Sequence, residues 1–191
     1  EMNARVREHL LAIANANDTH VCVLLQGSGT FVVEASLCTL IPQQGKALIL
    51  VNGAYGHRMC QMLDYAERKY LVQETPEDQP PSIEALENQL KEDPDISHVL
   101  VVHCETTSGI LNPIEDISKI VKAHDRSLII DAMSAFGAIE IDARKLQFDA
   151  IMASSNKCLE GVPGVGFSLI RQSSLEICKD NAHSLSLDLY D

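Results

Sequence analysis

The sequence predicts an α/β domain around a mostly parallel sheet, and three observations predict it. Seven strand-like apolar runs recur along the 191 residues. Helical patterns stand between several of them, and alternation of the two element types is the mark of a parallel sheet with helical crossovers. The runs are apolar on consecutive positions rather than on alternate ones, as strands are when both sheet faces are covered.

In order, the chain opens on a helix-like stretch, "EMNARVREHLLAIANA", and reaches its first strand at "VCVLLQ" (21–26). A helix, "GTFVVEASLCTLI", follows a glycine. The second strand is "ALILVN" (47–52), then comes a Gly-Ala-Tyr-Gly turn and the helix "HRMCQMLDYAER". "KYLVQE" (69–74) is the third strand, and the Pro-rich acidic "TPEDQPPS" (75–82) reads as a surface loop. "SIEALENQLKED" begins at a Ser cap with Glu close behind, and "PIEDISKIVKAHD" carries Pro in its first turn; both are helix-start signals. They flank the fourth strand, "HVLVVH" (98–103). "SLIIDAM" (127–133), "FDAIMAS" (148–154) and "VGFSLIR" (165–171) complete the seven. The loop before the last is too short for a helical crossover, so that strand is expected to pair antiparallel.

Composition bounds the function. Hydrophobic residues make up 46% and charged residues 22%, an ordinary globular balance. The formal net charge of −12 argues against a nucleic-acid surface, which needs basic residues to replace counterions. An anionic ligand must therefore be held by local donors. No apolar run approaches the roughly 20 residues that cross a bilayer. Six cysteines at 22, 38, 60, 104, 158 and 178 show no C-x-x-C pair and no clustering with histidine. That pattern reads as reduced thiols in a cytoplasmic compartment and excludes a zinc site. Both chain ends look like cuts through a longer protein, so the expectation is a fragment.

Ligands of such sheets gather at the carboxyl ends of the strands, and the unusual residues fall there. "QGSGTFVVEA" (26–35) is a glycine-punctuated turn into a helix. Its free backbone amides, its Ser28 and Thr30 hydroxyls and the helix dipole suit a phosphate, although a bland strand–turn–helix junction also favours Gly and Ser. It is neither G-x-G-x-x-G nor a Walker loop. Tyr55 in "NGAYGHRM" offers a flat face for a heteroaromatic ring, or plugs the sheet end. "HCETTSGILNP" (103–113) places Glu105, Thr106, Thr107 and Ser108 after the fourth strand, a polar loop whose hydroxyls would also suit a ring oxygen.

Asp131 interrupts an apolar strand in "LIIDAMSAFGA", where a carboxylate is costly unless paired or hydrogen-bonded. It either caps a turn or faces a cation. Lys157, in "ASSNKCLEGVPGVGF" (153–167), ends the next strand, roughly 5 Å away in a sheet. The two form a plain ion pair or they straddle a small ring. Pyridoxal phosphate needs the second layout, with a lysine on its aldehyde carbon and a carboxylate on its ring nitrogen. Lys157 then doubles as the base that moves the proton at the reacting carbon. The turn at 27–30 takes the phosphate and Tyr55 covers the ring.

"GSGT", "NGAYG", "HCETTSGILNP", "DAMSAFGA", "SSNKCLEGVPGVGF" and "SLSLDLYD" together resemble the fold-type I pyridoxal-phosphate aminotransferases of the alanine–glyoxylate group, over essentially the whole chain. The resemblance implies a three-layer α/β/α large domain spanning 1–191, with an N-terminal segment and a C-terminal small domain absent. The branch it is most similar to moves the amino group of 2-aminoethylphosphonate to pyruvate, giving phosphonoacetaldehyde and L-alanine. Implied roles are Lys157 as the cofactor-bearing lysine, Asp131 as the ring-nitrogen partner and Tyr55 as the stacking residue. Ser28, Gly29 and Thr30 would hold the phosphate, joined by Asn156, and Thr106 or Thr107 would bond the ring hydroxyl. A cytoplasmic homodimer with sites near the subunit interface is implied too. His57 departs from the acidic residue expected after "NGAYG". The substrate-binding arginine is expected outside this chain, since neither Arg58 nor Arg171, both near strand ends, matches it. The seven histidines are scattered, with only His103 near the proposed site. Rival readings are serine– or alanine–glyoxylate transamination or a lyase on the same scaffold. A nucleotide-binding oxidoreductase leaves Lys157 unexplained, and a non-catalytic binding module is the remaining alternative.

Overall fold

The computed structural model describes all residues, Glu1–Asp191. In chain order the elements are α1 (Met2–Ile13), β1 (His20–Gln26), α2 (Gly29–Leu40), β2 (Lys46–Val51), α3 (Ala54–Tyr65), β3 (Lys69–Glu74), α4 (Ile83–Glu92) and β4 (Ile96–Val102). A two-residue hairpin follows, β5 (Cys104–Glu105) and β6 (Ile110–Leu111), then α5 (Ile114–Ala123), β7 (Ser127–Asp131), β8 (Ala150–Ser154), β9 (Val165–Arg171) and α6 (Gln172–Glu176). A single 3-10 turn covers Leu185–Leu187.

Seven strands form one sheet in the order β1-β9-β8-β7-β4-β2-β3. β9 runs antiparallel to both neighbours, β1 and β8, and the other pairings are parallel. The expected seven-stranded sheet with one reversed strand is the one observed. Residues alternate between two cores. Leu48, Leu50, Val99, Val101, Leu128 and Ile130 face one, with α1, α4 and α5 over them. Ile49, Val51, Leu100, Val102 and Ile129 face the other, beneath α2 and α3. A sheet dry on both sides has no polar face, which is why its strands read as unbroken apolar runs.

Local signals account for the helix ends. The Ser82 hydroxyl accepts the Ala85 amide at 3.2 Å, with Glu84 in the first turn of α4 and Lys91 in its last. Those charges oppose the helix dipole. α3 differs from expectation: it starts at Ala54, so Tyr55 sits on its first turn rather than in the turn before it. The hairpin, α6 and the 3-10 turn have no apolar period of their own and went unread in the sequence.

The topology makes a crevice. From β2 the chain passes through α3 to the edge strand β3, whereas from β4 it passes through α5 to β7 on the other side. Crossovers that diverge in this way leave an opening at the carboxyl ends of the strands. β9 lies close under α2, because a Cβ on Gly166 would stand only 2.9 Å from Val32 Cβ.

Phe167 of β9 is fully buried and meets Phe136 edge to face, with centroids 5.2 Å apart. Phe167→Ala is expected to destabilise the chain by about 3–5 kcal/mol. Tyr65→Ala, at a side chain 89% exposed, should change stability by less than about 0.5 kcal/mol. Urea unfolding of the two variants measures the contrast.

Candidate active site

A cavity of about 370 Å³ opens at those carboxyl ends, walled by the first turns of α2 and α3 and by the segments that follow β4, β7 and β8. Ser28, Gly29, Thr30, Tyr55, Thr106, Asp131, Asn156 and Lys157 all line it. Eight of the nine residues singled out in the sequence thus share one space. The ninth, Thr107, turns its hydroxyl to Glu105 Oε1 at 3.4 Å and is not part of the wall.

One end of the cavity is built to accept an anion. Gly27 sits at φ +141°, outside the range of L side chains, and its amide donates to Gly164 O at 2.9 Å. This turn delivers Ser28 in extended conformation to the N-terminus of α2, where its hydroxyl makes no capping bond. The first-turn amides of a helix have no intrahelical acceptor and carry the positive end of its dipole. A Cβ on Gly29 would fall 2.5 Å from Met133 Sδ, so glycine is what lets the turn lie this close to the segment after β7. Donors, dipole and close backbone approach together make an anion cradle.

Asp131 closes β7 and is 4% exposed. Its Oδ1 accepts the Met133 amide at 2.9 Å, so it does cap a turn. Burial pushes its pKa up from 3.8 to about 6, the Met133 bond opposes that, and the charge of Glu105 raises it further. The Lys157 ammonium lies on the same cavity and takes part in none of the chain's ion pairs. The plain Asp131–Lys157 ion pair is therefore absent. A carboxylate and a primary amine face one space with neither neutralised by the other.

The loop that carries Lys157 is braced from both ends. The Gly161 amide donates to Ser155 O at 2.7 Å and the Ser155 amide to Val165 O at 3.0 Å. The Cys158 thiol reaches Ser134 O at 3.4 Å, and a Cβ on Gly137 would meet Leu159 at 2.8 Å, so the segments after β7 and β8 lie against each other. Ser134 also joins Thr106 hydroxyl to hydroxyl at 2.5 Å. Asn156 accepts from the Ser154 hydroxyl at 3.0 Å. Arg58 supplies a second cation to the wall, its guanidinium 5.7 Å from the Tyr55 ring centroid.

Sequence reasoning passed over Ser134, Cys104 and Met133 in this wall. Each lies within three residues of a strand end, which is the signal that would have found them. Two residues named near strand ends lie outside this wall. His103 follows β4 but lines a separate cavity of about 350 Å³ with Asn112 and Glu115. Its neighbour Val102 faces the first cavity, and alternation along the strand sends His103 to the opposite side. Burial lowers its pKa to about 4. Arg171 ends a strand that runs antiparallel, so it lies at the far end of the sheet, bonded to Phe148 O at 3.2 Å.

Residues 2–182 match the family described as aminotransferase class-V. The chain is 51% identical over all of its 191 residues to the 2-aminoethylphosphonate–pyruvate transaminase of Pseudomonas putida KT2440. It is 52% identical to the protein of the same name from Pseudomonas aeruginosa PAO1. It spans about half the length of these curated relatives, 52% of each. Among solved structures, a pyridoxamine–pyruvate aminotransferase from Mesorhizobium loti is similar at a TM-score of 0.89 and 27% identity, over 98% of this chain and 48% of that one. An alanine–glyoxylate aminotransferase from Nostoc sp. shares the fold at a TM-score of 0.89 and 20% identity, over 96% of this chain and 49% of that one.

Asp131 gives a pH test of the ligand-free chain. Its proton is held more tightly folded than unfolded, so the stability it contributes is complete below pH 3.8 and is lost as pH rises through about 6. The loss amounts to roughly 3 kcal/mol. Denaturant titrations from about pH 3 to about pH 7, roughly one unit beyond each edge of that window, should show wild type losing stability relative to Asp131→Asn. Parallel curves would refute the buried, proton-hungry carboxylate.

Proposed function

The chain belongs to the aminotransferase class-V family, and from that membership we propose that it is the pyridoxal-phosphate-binding large domain of a transaminase. The reaction we assign moves the amino group of 2-aminoethylphosphonate to pyruvate and releases phosphonoacetaldehyde and L-alanine. The observation that carries this reading is the single cavity in which an unpaired lysine, a buried carboxylate and an open helix N-terminus converge. Half-identical relatives that bear that name, aligned along the whole of this chain, support the choice of substrates.

The residues fit the cofactor. The Ser28–Thr30 turn and the uncapped α2 N-terminus would hold a phosphate with amide and hydroxyl donors, and Asn156 lines the same cavity. Tyr55 offers an aromatic face and Thr106 a hydroxyl for the ring oxygen, the role that Thr107, bonded to Glu105, is turned away from. Asp131 suits a pyridinium nitrogen: a carboxylate so short of hydrogen-bond partners gains most from a cationic N–H. Bound there, pyridoxal phosphate supplies an aldehyde that accepts amino groups and a ring that draws electrons from the carbon next to them.

The chain's own work is positioning and proton transfer. Lys157 Nζ would hold the cofactor's aldehyde, and once free it is the base on this wall that would accept the proton of the donor's amine-bearing carbon. With pyruvate as acceptor, the same Nζ in its protonated form would give a proton to the carbon that receives the amino group. Asp131 would accept the N–H of the ring nitrogen and so favour the protonated ring. The core beneath excludes water from the Asp131 end, where the electrostatic effect is strongest. Arg58 brings positive charge to a cavity that must admit anionic substrates in a chain of net charge −12. We place the domain in a homodimer of the cytoplasm. Six free cysteines are consistent with a reducing compartment, and no helix is long and apolar enough to cross a membrane. Exposed apolar residues such as Val162, on the loop after Lys157, are suited to contact with a second subunit.

The test uses the protein at its natural length. Addition of pyridoxal phosphate should give a visible absorbance band that borohydride reduction fixes to the chain, and Lys157→Ala should abolish it. Alanine formation from 2-aminoethylphosphonate and pyruvate should fall by at least about 100-fold in Lys157→Ala and in Asp131→Asn. Equal activity with serine or alanine and glyoxylate, and none with the phosphonate, would overturn the substrate assignment.

A further inference from the structure

We propose that Glu105 is a positioning residue: from β5 its carboxylate caps the N-terminus of α3 and so sets where the Tyr55 ring meets the cavity. This deepens the functional reading above and rests on it.

Glu105 is fully buried and joins no ion pair. Its Oε1 accepts the Tyr55 backbone amide at 3.3 Å and the Thr107 hydroxyl at 3.4 Å, whereas Oε2 is buried without a partner. A helix ordinarily receives this service from the side chain of its own N-cap, most often Ser, Thr, Asp or Asn. Here the N-cap is Gly53, which has no side chain to give. It stays glycine because of contact, not conformation. Its φ of 171° is extended backbone open to any residue, but a Cβ would stand 2.1 Å from Glu105 Cγ and 2.4 Å from Cδ. The local cap has been vacated to admit one from another strand.

That exchange is unfavourable if helix stability is the only gain. A serine at 53 would cap the helix without burying a carboxyl oxygen that lacks a partner, and a buried polar atom left unpaired is destabilising. The remote cap supplies what a local one does not, a fixed relation between two walls of the site. Thr106, next in the chain after Glu105, lines the cavity and bonds Ser134. Tyr55, whose amide Glu105 holds, lines it from α3. The positive end of the α3 dipole favours the carboxylate at this point. The ring and the hydroxyl that flank the ligand are thereby registered to each other through one side chain.

The test is the dissociation constant of pyridoxal phosphate from the natural-length protein, read by visible absorbance, with thermal unfolding of the ligand-free variants alongside. Glu105→Ala should weaken binding by about 10-fold, while Glu105→Gln, whose amide oxygen still accepts from Tyr55, should stay within about 3-fold of wild type. In a Tyr55→Ala background, Glu105→Ala should add less than about 2-fold, because an effect routed through the ring disappears with the ring. Should Glu105→Ala fail to fold, Glu105→Asp carries the same expectation, since it keeps the charge and withdraws the oxygens from Tyr55. Wild-type affinity in the alanine or aspartate variant, loss in glutamine equal to that in alanine, or full additivity with Tyr55→Ala overturns this inference alone. A wild-type protein with no Lys157-dependent absorbance band overturns the functional reading, and the inference with it.

Discussion

A carboxylate kept dry at the end of β7 is the constraint on which the rest of the site depends. The Asp131 carboxyl accepts one hydrogen bond from the chain and is buried at the end of its strand, so its proton affinity is set chiefly by burial. In water the same group would be an ordinary surface acid with no preference for a cationic partner. Removed from water, it stands ready for a positive N–H and penalises a ligand without one. The sheet supplies that dryness. Layers of helix on both faces exclude solvent from the central strands up to the carboxyl ends where the cavity begins.

Around that carboxylate, the cavity walls are joined loop to loop rather than each being anchored only to its own strand. Gly27 bonds Gly164, Thr106 bonds Ser134, and Cys158 reaches the Ser134 carbonyl. Behind them the Asn52 and Asn112 amides exchange two hydrogen bonds, at 2.8 and 3.1 Å, with both residues buried. Asn112 also donates to Val102 O at the end of β4. A site held by such cross-ties presents its groups in place before a ligand arrives, and the ligand then does not have to meet the entropy of ordering them.

Much of the fold was legible because its sheet is covered on both sides. Runs such as "ALILV" have no alternative use in a soluble domain, and the Ser82 and Pro113 signals mark helix starts with local chemistry. The reversal of β9 could be read from loop length alone. The site was legible where a residue sat against its surroundings, as Asp131 does in an apolar strand and Lys157 does at a strand end. What escaped was set by contacts distant in sequence. The start of α3 is determined by Glu105, 50 residues further on, so the turn chemistry around Gly53 misplaced it. Thr106 and Thr107 are equivalent in composition, and only the hairpin β5–β6, with Gly109 at φ +76°, turns one inward and the other toward Glu105. His103 was placed near the site by proximity in the chain, which ignores the alternation of faces along a strand.

The pairing of β1 with β9 sets an order of events during synthesis. Residues 20–26 leave the ribosome well before 165–171, their only strand partner. Pairings so far apart close late, since the chain entropy of joining them is lost before any contact compensates it. The Gly27–Gly164 bond waits on the same event. A nascent chain thus carries an exposed apolar strand until nearly all of this domain has been translated, and the anion cradle is complete only once that strand is covered. Chaperone demand should accordingly be concentrated in that interval of translation, when β1 is made and β9 is not.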